Sequence, residues 1–333
     1  MKKKNKILIL GSSHLSSLEN MYYKALKKID TSEVYLIDLN FNNFFKKVFS
    51  YFSLNESLYR KSIINLFKEY NNYFDLIFIF KGMELDRHTI SIIKKASPRS
   101  KWVNIYTDDP FNIKLKSASN ENVLDCIDMF DLFCTWSRDI EKKLKKKIPK
   151  KIIYLPFAFD NLIKLSMKSC FSENKNILFY GSYDVDRGNI LSHIADYKVD
   201  IFGNNWTKSN LKNVDNFNIN YKDIYQEDLA SAVAQSNLVL NLLRRQVGNA
   251  HNMRTFEIPG YNGLMLTERT KEQNFFFPEN QACYMFSSIN EMLIKIDYIL
   301  SNKKKNKKII NEGFRIAKDH TYIKRINYLL KKL

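Results

Sequence analysis

Cysteine is rare in this chain of 333 residues, and the few cysteines are scattered. They show no metal-ligand spacing, which excludes a disulfide framework and a zinc site and favours reduced core thiols in a cytosolic protein. The four positions are Cys126, Cys134, Cys170 and Cys283. Long apolar runs are also missing. None approaches the roughly 18 residues that a membrane-spanning helix needs.

Glycine-rich phosphate loops are absent as well, because no segment matches G-x-G-x-x-G or a Walker loop. The N-terminus begins with the basic segment Met1–Lys6, but the apolar run that follows it, Ile7–Leu10, ends at Gly11. That run is too short for a signal peptide and predicts a first strand. We therefore expect a cytoplasmic protein.

Acidic residues are outnumbered, since 53 lysines and arginines against 35 aspartates and glutamates give a formal charge of +18. Much of the excess lies in lysine runs at 142–151 and 303–308. Such blocks contact nucleic acid or an anionic membrane, or simply form a solvated face. The chain lacks the aromatic and basic interleaving of nucleic-acid-binding modules, so we expect no specific nucleic-acid partner. Peripheral contact with the inner membrane face stays an alternative to a solvated face.

What the chain does contain is a regular alternation of short apolar runs with helical stretches. The runs are apolar nearly throughout, as buried parallel strands are. In the first half they are Lys6–Leu10, Val34–Leu39, Asp75–Phe80, Trp102–Tyr106, Leu132–Trp136 and Ile152–Phe157. After a linker-like stretch at 161–175 the pattern restarts with Ile177–Tyr180, Val199–Phe202, Leu238–Leu243, Leu264–Thr267 and Tyr284–Phe286.

This alternation predicts an α/β fold with two sequential Rossmann-like domains, whose parallel sheets face each other across a cleft. The length of the chain suits two domains of ordinary size. We expect an N-terminal domain over residues 1–158 and a C-terminal domain over residues 159–318. Residues 319–333 are expected to form a C-terminal helix that packs back on the N-terminal domain.

In the first half, polar residues follow strands at the sheet edge where open α/β folds bind ligands. Gly11 opens a turn whose backbone N–H groups can receive an anion, or whose serines cap the next helix. Asp108 and Asp109 can supply a general base or a hydrogen-bond acceptor, and one of them can instead cap a helix. Adjacent side chains point opposite ways in extended chain, which argues against a shared metal. His14 is either catalytic or a packing residue.

In the second half, Gly181 and Ser182 follow a strand and allow the backbone close to a ligand, while Arg187 suits a diphosphate. Arg187 can also be a chance cation on a solvated helix. Arg254 and Glu257 share one helical face, where they either pair with each other or bind a ligand. A nucleotide needs cations for its diphosphate and a carboxylate for its ribose hydroxyls.

Four motifs of the second half, in the right order, resemble the CgeB-type (spore-maturation protein-like) glycosyltransferases, a branch of the GT-B group-1 family. They are Leu155–Ala158, Phe179–Ser182 followed by Arg187, Asn252–Pro259 followed by Gly263, and His320–Tyr322 followed by Arg325. The resemblance covers about residues 150 to 330. In the first half only Tyr106–Pro110 is similar to the family.

The resemblance implies a GT-B fold with the acceptor on the N-terminal domain and a nucleotide-sugar donor on the C-terminal domain. Glu257 matches the ribose-binding Glu of the family's E-x7-E signature, and Arg187 and Arg254 match its diphosphate-binding cations. Asn249 stands where the first Glu of that signature, which touches the donor sugar, is expected. The residues expected around the donor are Gly181, Ser182, Arg187, Arg244, Asn249, His251, Asn252, Arg254, Thr255 and Glu257.

No metal and no cofactor besides the nucleotide-sugar are expected, and the acceptor is a glycan, a lipid-linked molecule or a protein. An inverting enzyme needs a base from the first domain, with Asp108, Asp109 or His14 as candidates. The aromatic and basic segment Asn40–Tyr59 is an acceptor lid, a membrane contact or a core helix. The alternative function is a non-catalytic nucleotide-binding partner protein, which the missing Glu at Asn249 and the lysine blocks motivate.

Overall fold

The structure is a computed structural model that describes residues 5–29, 32–38, 54–112, 120–148, 151–164, 176–244 and 248–333. Within these ranges the chain divides into two compact units. The first comprises residues 1–156 together with 325–333, and the second comprises residues 157–324. Cys170, most of the predicted linker and the larger part of the segment 40–59 lie outside the described residues.

The first unit contains a parallel sheet whose described strands follow the order β2-β1-β3-β4-β5-β6. Its strands are β1 (Asn5–Leu10), β2 (Ser32–Ile37), β3 (Leu76–Phe80), β4 (Lys101–Tyr106), β5 (Leu132–Thr135) and β6 (Ile152–Tyr154). Its helices are α1 (Leu18–Lys28), α2 (Leu54–Glu69), α3 (Arg87–Ala96), α4 (Asn120–Cys126) and α5 (Arg138–Lys145). β1 and β3 are apolar on both faces because helices cover both faces of a parallel sheet, and Ile7, Leu8 and Ile77 are fully buried.

The second unit repeats this architecture with the strand order β12-β11-β10-β7-β8-β9, again parallel throughout. Its strands are β7 (Ile177–Tyr180), β8 (Val199–Phe202), β9 (Phe217–Asn220), β10 (Leu238–Asn241), β11 (Met265–Glu268) and β12 (Tyr284–Phe286). Its helices are α6 (Val185–Ser192), α7 (Gln226–Gln235), α8 (Arg254–Gly260), α9 (Lys271–Phe276), α10 (Ile289–Ser301) and α11 (Lys303–Ala317). The last helix, α12 (Tyr322–Leu330), begins in the second unit and ends in the first.

These two sheets confirm the predicted α/β fold with parallel strands. Two details of the second sheet differ from the sequence prediction. β9 was not predicted, because Asn218 and Asn220 interrupt its apolar pattern and the strand is only half-buried at the sheet edge. β10 ends at Asn241 rather than at Leu243, because Leu242 and Leu243 bond to side chains instead of a neighbouring strand.

Helix ends follow the local sequence rules. Ser288 caps α10 by accepting the backbone N–H of Glu291 at 3.2 Å, as its Ser-x-x-Glu motif predicts. Glu291 accepts the N–H of Ser287 at 2.7 Å, one residue before the position that a capping box uses. Among the described residues, no helix combines the length and the apolarity needed to cross a membrane.

Candidate functional site

The topology of the second sheet locates a crevice between β7 and β10. The chain leaves β7 for β8 and β9 on one side and then crosses to β10 and β11 on the other. Open α/β sheets bind ligands outside the carboxyl ends of the strands at such a switch point. Gly181 and Ser182 follow β7 there, and Arg244 follows β10.

Arg187 joins the two sides of this crevice. Its Nη1 donates to the carbonyl of Ser182 after β7 at 2.9 Å, and its Nη2 donates to the carbonyl of Leu242 after β10 at 3.3 Å. The side chain is nearly fully buried. Burial, followed by the charge of Arg254, lowers the pKa of the Arg187 guanidinium to about 9, so that it is still a cation at neutral pH.

Arg254 enters the same crevice from the first residue of α8. Its Nε donates to the carbonyl of Tyr180 at 2.6 Å, and its guanidinium carbon lies 5.8 Å from the centre of the Phe179 ring. Arg187 approaches that ring to 5.7 Å. Gly181 permits this approach, because its φ is +147° and a Cβ there would overlap Nη2 of Arg254.

Asp184 lies between two of these arginines, a position that the sequence pattern does not predict. It caps α6 by accepting the N–H of Arg187 at 2.9 Å. Its Oδ2 lies 3.4 Å from Nε of Arg187 and 3.9 Å from Nε of Arg244. Two arginines therefore share one carboxylate. Burial lowers the pKa of the Arg254 guanidinium too, although Tyr180 and Glu257 oppose this, and the positive charge of Arg244 acts in the same direction as burial. An anion in the crevice would relieve this repulsion.

Glu257 lies one helical turn after Arg254, and both contact Tyr180. The Tyr180 hydroxyl donates to Oε2 of Glu257 at 3.1 Å. Glu257 retains only 7% of its exposure. Burial raises the pKa of the Glu257 carboxyl, while Arg254 and the Tyr180 hydroxyl oppose that rise. Arg254 and Glu257 are thus linked through Tyr180, whose carbonyl contacts the first and whose hydroxyl contacts the second.

Asn252 and Thr255 attach the start of α8 to β10. Nδ2 of Asn252 donates to Oδ1 of Asn241 at 2.7 Å, and the N–H of Thr255 donates to Oδ1 of Asn252 at 3.1 Å. Thr255 Oγ1 accepts the N–H of Asn252 at 3.2 Å. The hydrogen bonds of Asn252 and Thr255 thus fix the start of α8, and this positions Arg254 and Glu257 at the crevice.

His251 and Asn249 differ in exposure. His251 is fully buried, with Nε2 accepting the N–H of Phe157 at 3.2 Å and Nδ1 lying 2.7 Å from Glu272. Direct contact between His251 and a ligand would break one of these bonds. Asn249 is exposed, and its carbonyl accepts the N–H of Glu272 at 3.1 Å.

In the first unit, backbone N–H groups of the turn after β1 donate hydrogen bonds to carboxylates of the chain itself. The N–H of Ser12 donates to Glu19 at 3.3 Å and that of Ser13 donates to Asp38 at 2.7 Å. Ser17 rather than the turn caps α1. His14 is exposed, and its Nδ1 lies 2.8 Å from the Ser16 hydroxyl. The N–H groups of Ser12 and Ser13 are thus bonded within the chain rather than left available to an anion, and the predicted capping serine does not lie in this turn.

Asp108 and Asp109 are half-buried after β4 and point to different partners. Asp108 forms an ion pair with Lys81 at 2.9 Å, and Oδ1 of Asp109 accepts the N–H of Phe111 at 2.9 Å. They do not share a ligand position in this arrangement. Across the described ranges, no group of three or more His, Cys, Asp and Glu side chains is placed to hold a metal ion.

Comparison with known proteins adds a family match and a set of similar folds. Residues 187–331 match a protein-family model described as glycosyl transferase-like. No curated protein matches the chain. A glycosyltransferase from Rickettsia africae ESF-5 is 14% identical with a TM-score of 0.68, over 99% of this chain and 98% of that one.

Two further structures extend the fold comparison. HepE of Anabaena, solved with UDP and glucose, is 13% identical with a TM-score of 0.69, over 99% of this chain and 100% of that one. A sucrose-phosphate synthase from Thermosynechococcus elongatus is 11% identical with a TM-score of 0.71, over 99% of both chains. At such identities the likeness shows the fold. The chain has the GT-B fold of glycosyltransferases.

Proposed function

We propose that this protein is a glycosyltransferase of the CgeB type that transfers a sugar from a nucleotide-sugar to a glycan, a lipid-linked molecule or a protein. The observation that carries the proposal is the convergence of Arg187, Arg244 and Arg254 on the switch-point crevice, where Asp184 lies 3.4 Å from Arg187 and 3.9 Å from Arg244. The phosphates of a nucleoside diphosphate would interact favourably with these guanidinium groups. The fold that the chain shares with HepE, solved with UDP and glucose, supports the same function.

In the proposed reaction the leaving diphosphate gains negative charge as the sugar–oxygen bond breaks. Fixed guanidinium groups stabilise that charge without reorganising, so no metal ion is required. Glu257 binds the ribose hydroxyls, and its contact with Tyr180 fixes the orientation of the carboxylate. For an inverting reaction, Asp108, Asp109 and His14 are the proposed candidates for the base that deprotonates the acceptor.

Two alanine variants, Glu257→Ala and Arg187→Ala, test this assignment in an assay of nucleotide-sugar turnover. We expect Arg187→Ala to lower turnover by about 100-fold or more, as removal of one transition-state donor does. We expect Glu257→Ala to weaken binding of the nucleotide-sugar, because its ribose loses an acceptor. Glu312→Ala and Arg315→Ala are matched controls, because this pair is exposed on α11 and joined at 2.7 Å. Arg254→Gln is a third variant, because removing the buried Arg187 side chain also destabilises the fold. Thermal unfolding verifies that each variant folds. Full activity in folded Glu257→Ala and Arg187→Ala would refute the site.

A non-catalytic nucleotide-binding protein is the second candidate function, favoured by the exposed Asn249 in place of a carboxylate. A thermal-shift screen against UDP, ADP, GDP and dTDP and their sugar conjugates, followed by an assay of transfer and hydrolysis of the conjugates that bind, separates the two candidates. Binding of a nucleotide with neither transfer nor hydrolysis of any conjugate would favour the non-catalytic function.

Contact with an anionic membrane surface is a further part of the proposal, because it would bring a lipid-linked acceptor to the enzyme. Lys303, Lys304 and Lys305 are exposed at the start of α11. Ile294 and Tyr298 are exposed one turn apart on α10, and Nζ of Lys305 lies 5.2 Å from the Tyr298 ring. Cations beside interfacial apolar side chains suit a lipid surface.

A further inference from the structure

His251 is fully buried three residues before Arg254, and each of its ring nitrogens has a polar partner. Nε2 accepts the N–H of Phe157 at 3.2 Å, so Nε2 carries no proton. The hydrogen bond at one ring nitrogen sets the tautomer, and the neutral ring therefore carries its proton on Nδ1. Nδ1 lies 2.7 Å from Oε2 of Glu272 on α9 and donates to it. The neutral ring thus joins α9 to the backbone of Phe157.

Aromatic packing holds the His251 ring in this orientation. The ring of Phe256 on α8 lies 5.2 Å away at 90°, and the ring of Phe276 on α9 lies 5.1 Å away at 71°. Phe157 contributes a third ring at 5.7 Å. Rotation of the imidazole would disrupt these contacts in a close-packed interior. Its surroundings therefore direct Nε2 toward the Phe157 N–H.

Phe157 is the residue at which the chain enters the second unit, since the first unit ends at Pro156 in this pass of the chain. Hinges between units consist of a few such residues. Two amides of this stretch are held in different ways. The N–H of Phe159 donates to the backbone carbonyl of His320 at 3.1 Å, whereas the N–H of Phe157 donates to a side chain. The Phe157 amide is therefore held by the segment that leads into α8.

The segment between His251 and the proposed nucleotide site is short and anchored. The Thr270 hydroxyl donates to the carbonyl of Ala250 at 2.8 Å, and Nδ2 of Asn252 donates to a side chain of β10 at 2.7 Å. Arg254 follows two residues after Asn252 and begins α8. A ligand that fixes Arg254 therefore also restricts the motion of His251, because two residues separate them.

We propose that His251 is a positioning residue that couples the donor crevice to the Phe157 peptide. A nucleoside diphosphate held by Arg254 and Glu257 fixes the start of α8 and thereby strengthens the hydrogen bond between Nε2 of His251 and the Phe157 N–H. The inference rests on the proposed function, which supplies the ligand. Coupling between two sites is reciprocal, so loss of the Phe157 bond weakens diphosphate binding by the factor by which the diphosphate strengthens the bond.

Amide hydrogen exchange, followed by NMR on the full-length chain, tests the coupling in the unmodified protein. The probe is UDP at saturation, followed by ADP and GDP if UDP does not bind. We expect the diphosphate to slow exchange of the Phe157 N–H about fivefold more than exchange of the Phe159 N–H, as one hydrogen bond of ordinary strength implies. General stabilisation of the fold would slow both amides equally, and that result would overturn the proposal.

His251→Asn and His251→Gln form a matched pair of variants. Both remove the ring, but the asparagine amide reaches only as far as Nδ1 and keeps the Glu272 contact, whereas the glutamine amide reaches as far as Nε2 and keeps an acceptor for Phe157. We expect His251→Asn to abolish the additional protection of Phe157 and to weaken diphosphate binding about fivefold. His251→Gln should retain both. His88→Asn is the control, because His88 is an exposed histidine on α3.

Thermal unfolding without ligand verifies that each variant folds, and if neither folds, the comparison of Phe157 with Phe159 in the unmodified chain decides alone. If folded His251→Asn and His251→Gln lose diphosphate affinity equally, the packing of the ring rather than Nε2 is responsible, and the coupling fails while the proposed function stands. If none of the three diphosphates binds to the unmodified chain, the coupling and the proposed function both fail.

Discussion

Glu257 is a carboxylate in a place where burial penalises its charge. Its raised pKa means that the folded state holds the proton more tightly than the unfolded state does. Ionisation of Glu257 therefore costs stability, and that cost appears as the pH rises above the ordinary carboxyl range. The same cost explains why a ligand with hydroxyl donors is expected here, since such donors would stabilise the charged form.

Glu257→Gln should gain stability relative to the unmodified chain as the pH rises from about 4 to about 8. Glutamine has no charge to desolvate, and its carbonyl can still accept the Tyr180 hydroxyl. Melting temperatures of both proteins across this range give the difference directly, because other titrating groups cancel. A difference that is constant with pH, or that moves against the variant as the pH rises, would contradict the raised pKa.

Gly181 offers a second test at the residue scale, because its Cβ would overlap Arg254. Gly181→Ala should lower the free energy of unfolding by about 1–3 kcal/mol and weaken diphosphate binding, since Arg254 must move. Gly248→Ala is the control. Its φ of +57° is also left-handed, but a Cβ there meets nothing within 4 Å. Equal loss of diphosphate affinity in both variants would mean that backbone strain, not displacement of Arg254, is responsible.

At the scale of elements, Thr255 attaches α8 to the segment that precedes it. Thr255→Val should cost about 1–3 kcal/mol of unfolding free energy, because the half-buried N–H of Asn252 and the buried Asn241 amide lose an acceptor. Thr255→Ser keeps the hydroxyl and should recover most of that stability. Urea unfolding of the three proteins provides the measurement. A serine variant as unstable as the valine variant would assign the loss to packing.

The elements that the sequence predicts best are those whose environment is uniform along their length. β3 and β7 are apolar throughout and β1 is apolar from Ile7 onward, because both faces of the sheet are covered, and the pattern alone predicts them. β9 has no such pattern, because an edge strand needs less burial. Gly181 and Arg244 each follow the carboxyl end of a predicted parallel strand, so the sequence also predicts that they lie at one sheet edge.

The parts of the candidate site that the sequence does not predict depend on side-chain direction in irregular segments. Hydrophobic periodicity gives no information about where a side chain points after a strand ends. The role of Asp184 between two arginines and the hydroxyl of Tyr180 on Glu257 therefore appear only in three dimensions. The same holds for Ser12 and Ser13, whose N–H groups are occupied by Glu19 and Asp38.

At the scale of the whole molecule, the formal charge of +18 attracts any polyanion. A test of membrane binding must therefore distinguish contact through one defined surface from attraction by the net charge. The lysines at the start of α11 also lie where the helix dipole disfavours cations. Anionic headgroups would offset that unfavourable position. Exposed Ile294 and Tyr298 beside them favour lipid over nucleic acid, because nucleic-acid contact needs no aliphatic side chain.

Sedimentation with vesicles of phosphatidylglycerol or of phosphatidylcholine tests this surface. We expect binding only to the former, and we expect combined substitution of Lys303, Lys304 and Lys305 by Glu to weaken it by roughly 100-fold, at about 1 kcal/mol per cation. The control reverses Lys142, Lys143 and Lys146, which are exposed in or directly after α5 and change the net charge equally. Equal losses in both triple variants would reduce the membrane contact to nonspecific attraction. Loss confined to the first variant, together with a further loss in Ile294→Asp, would place the lipid contact on α10 and α11.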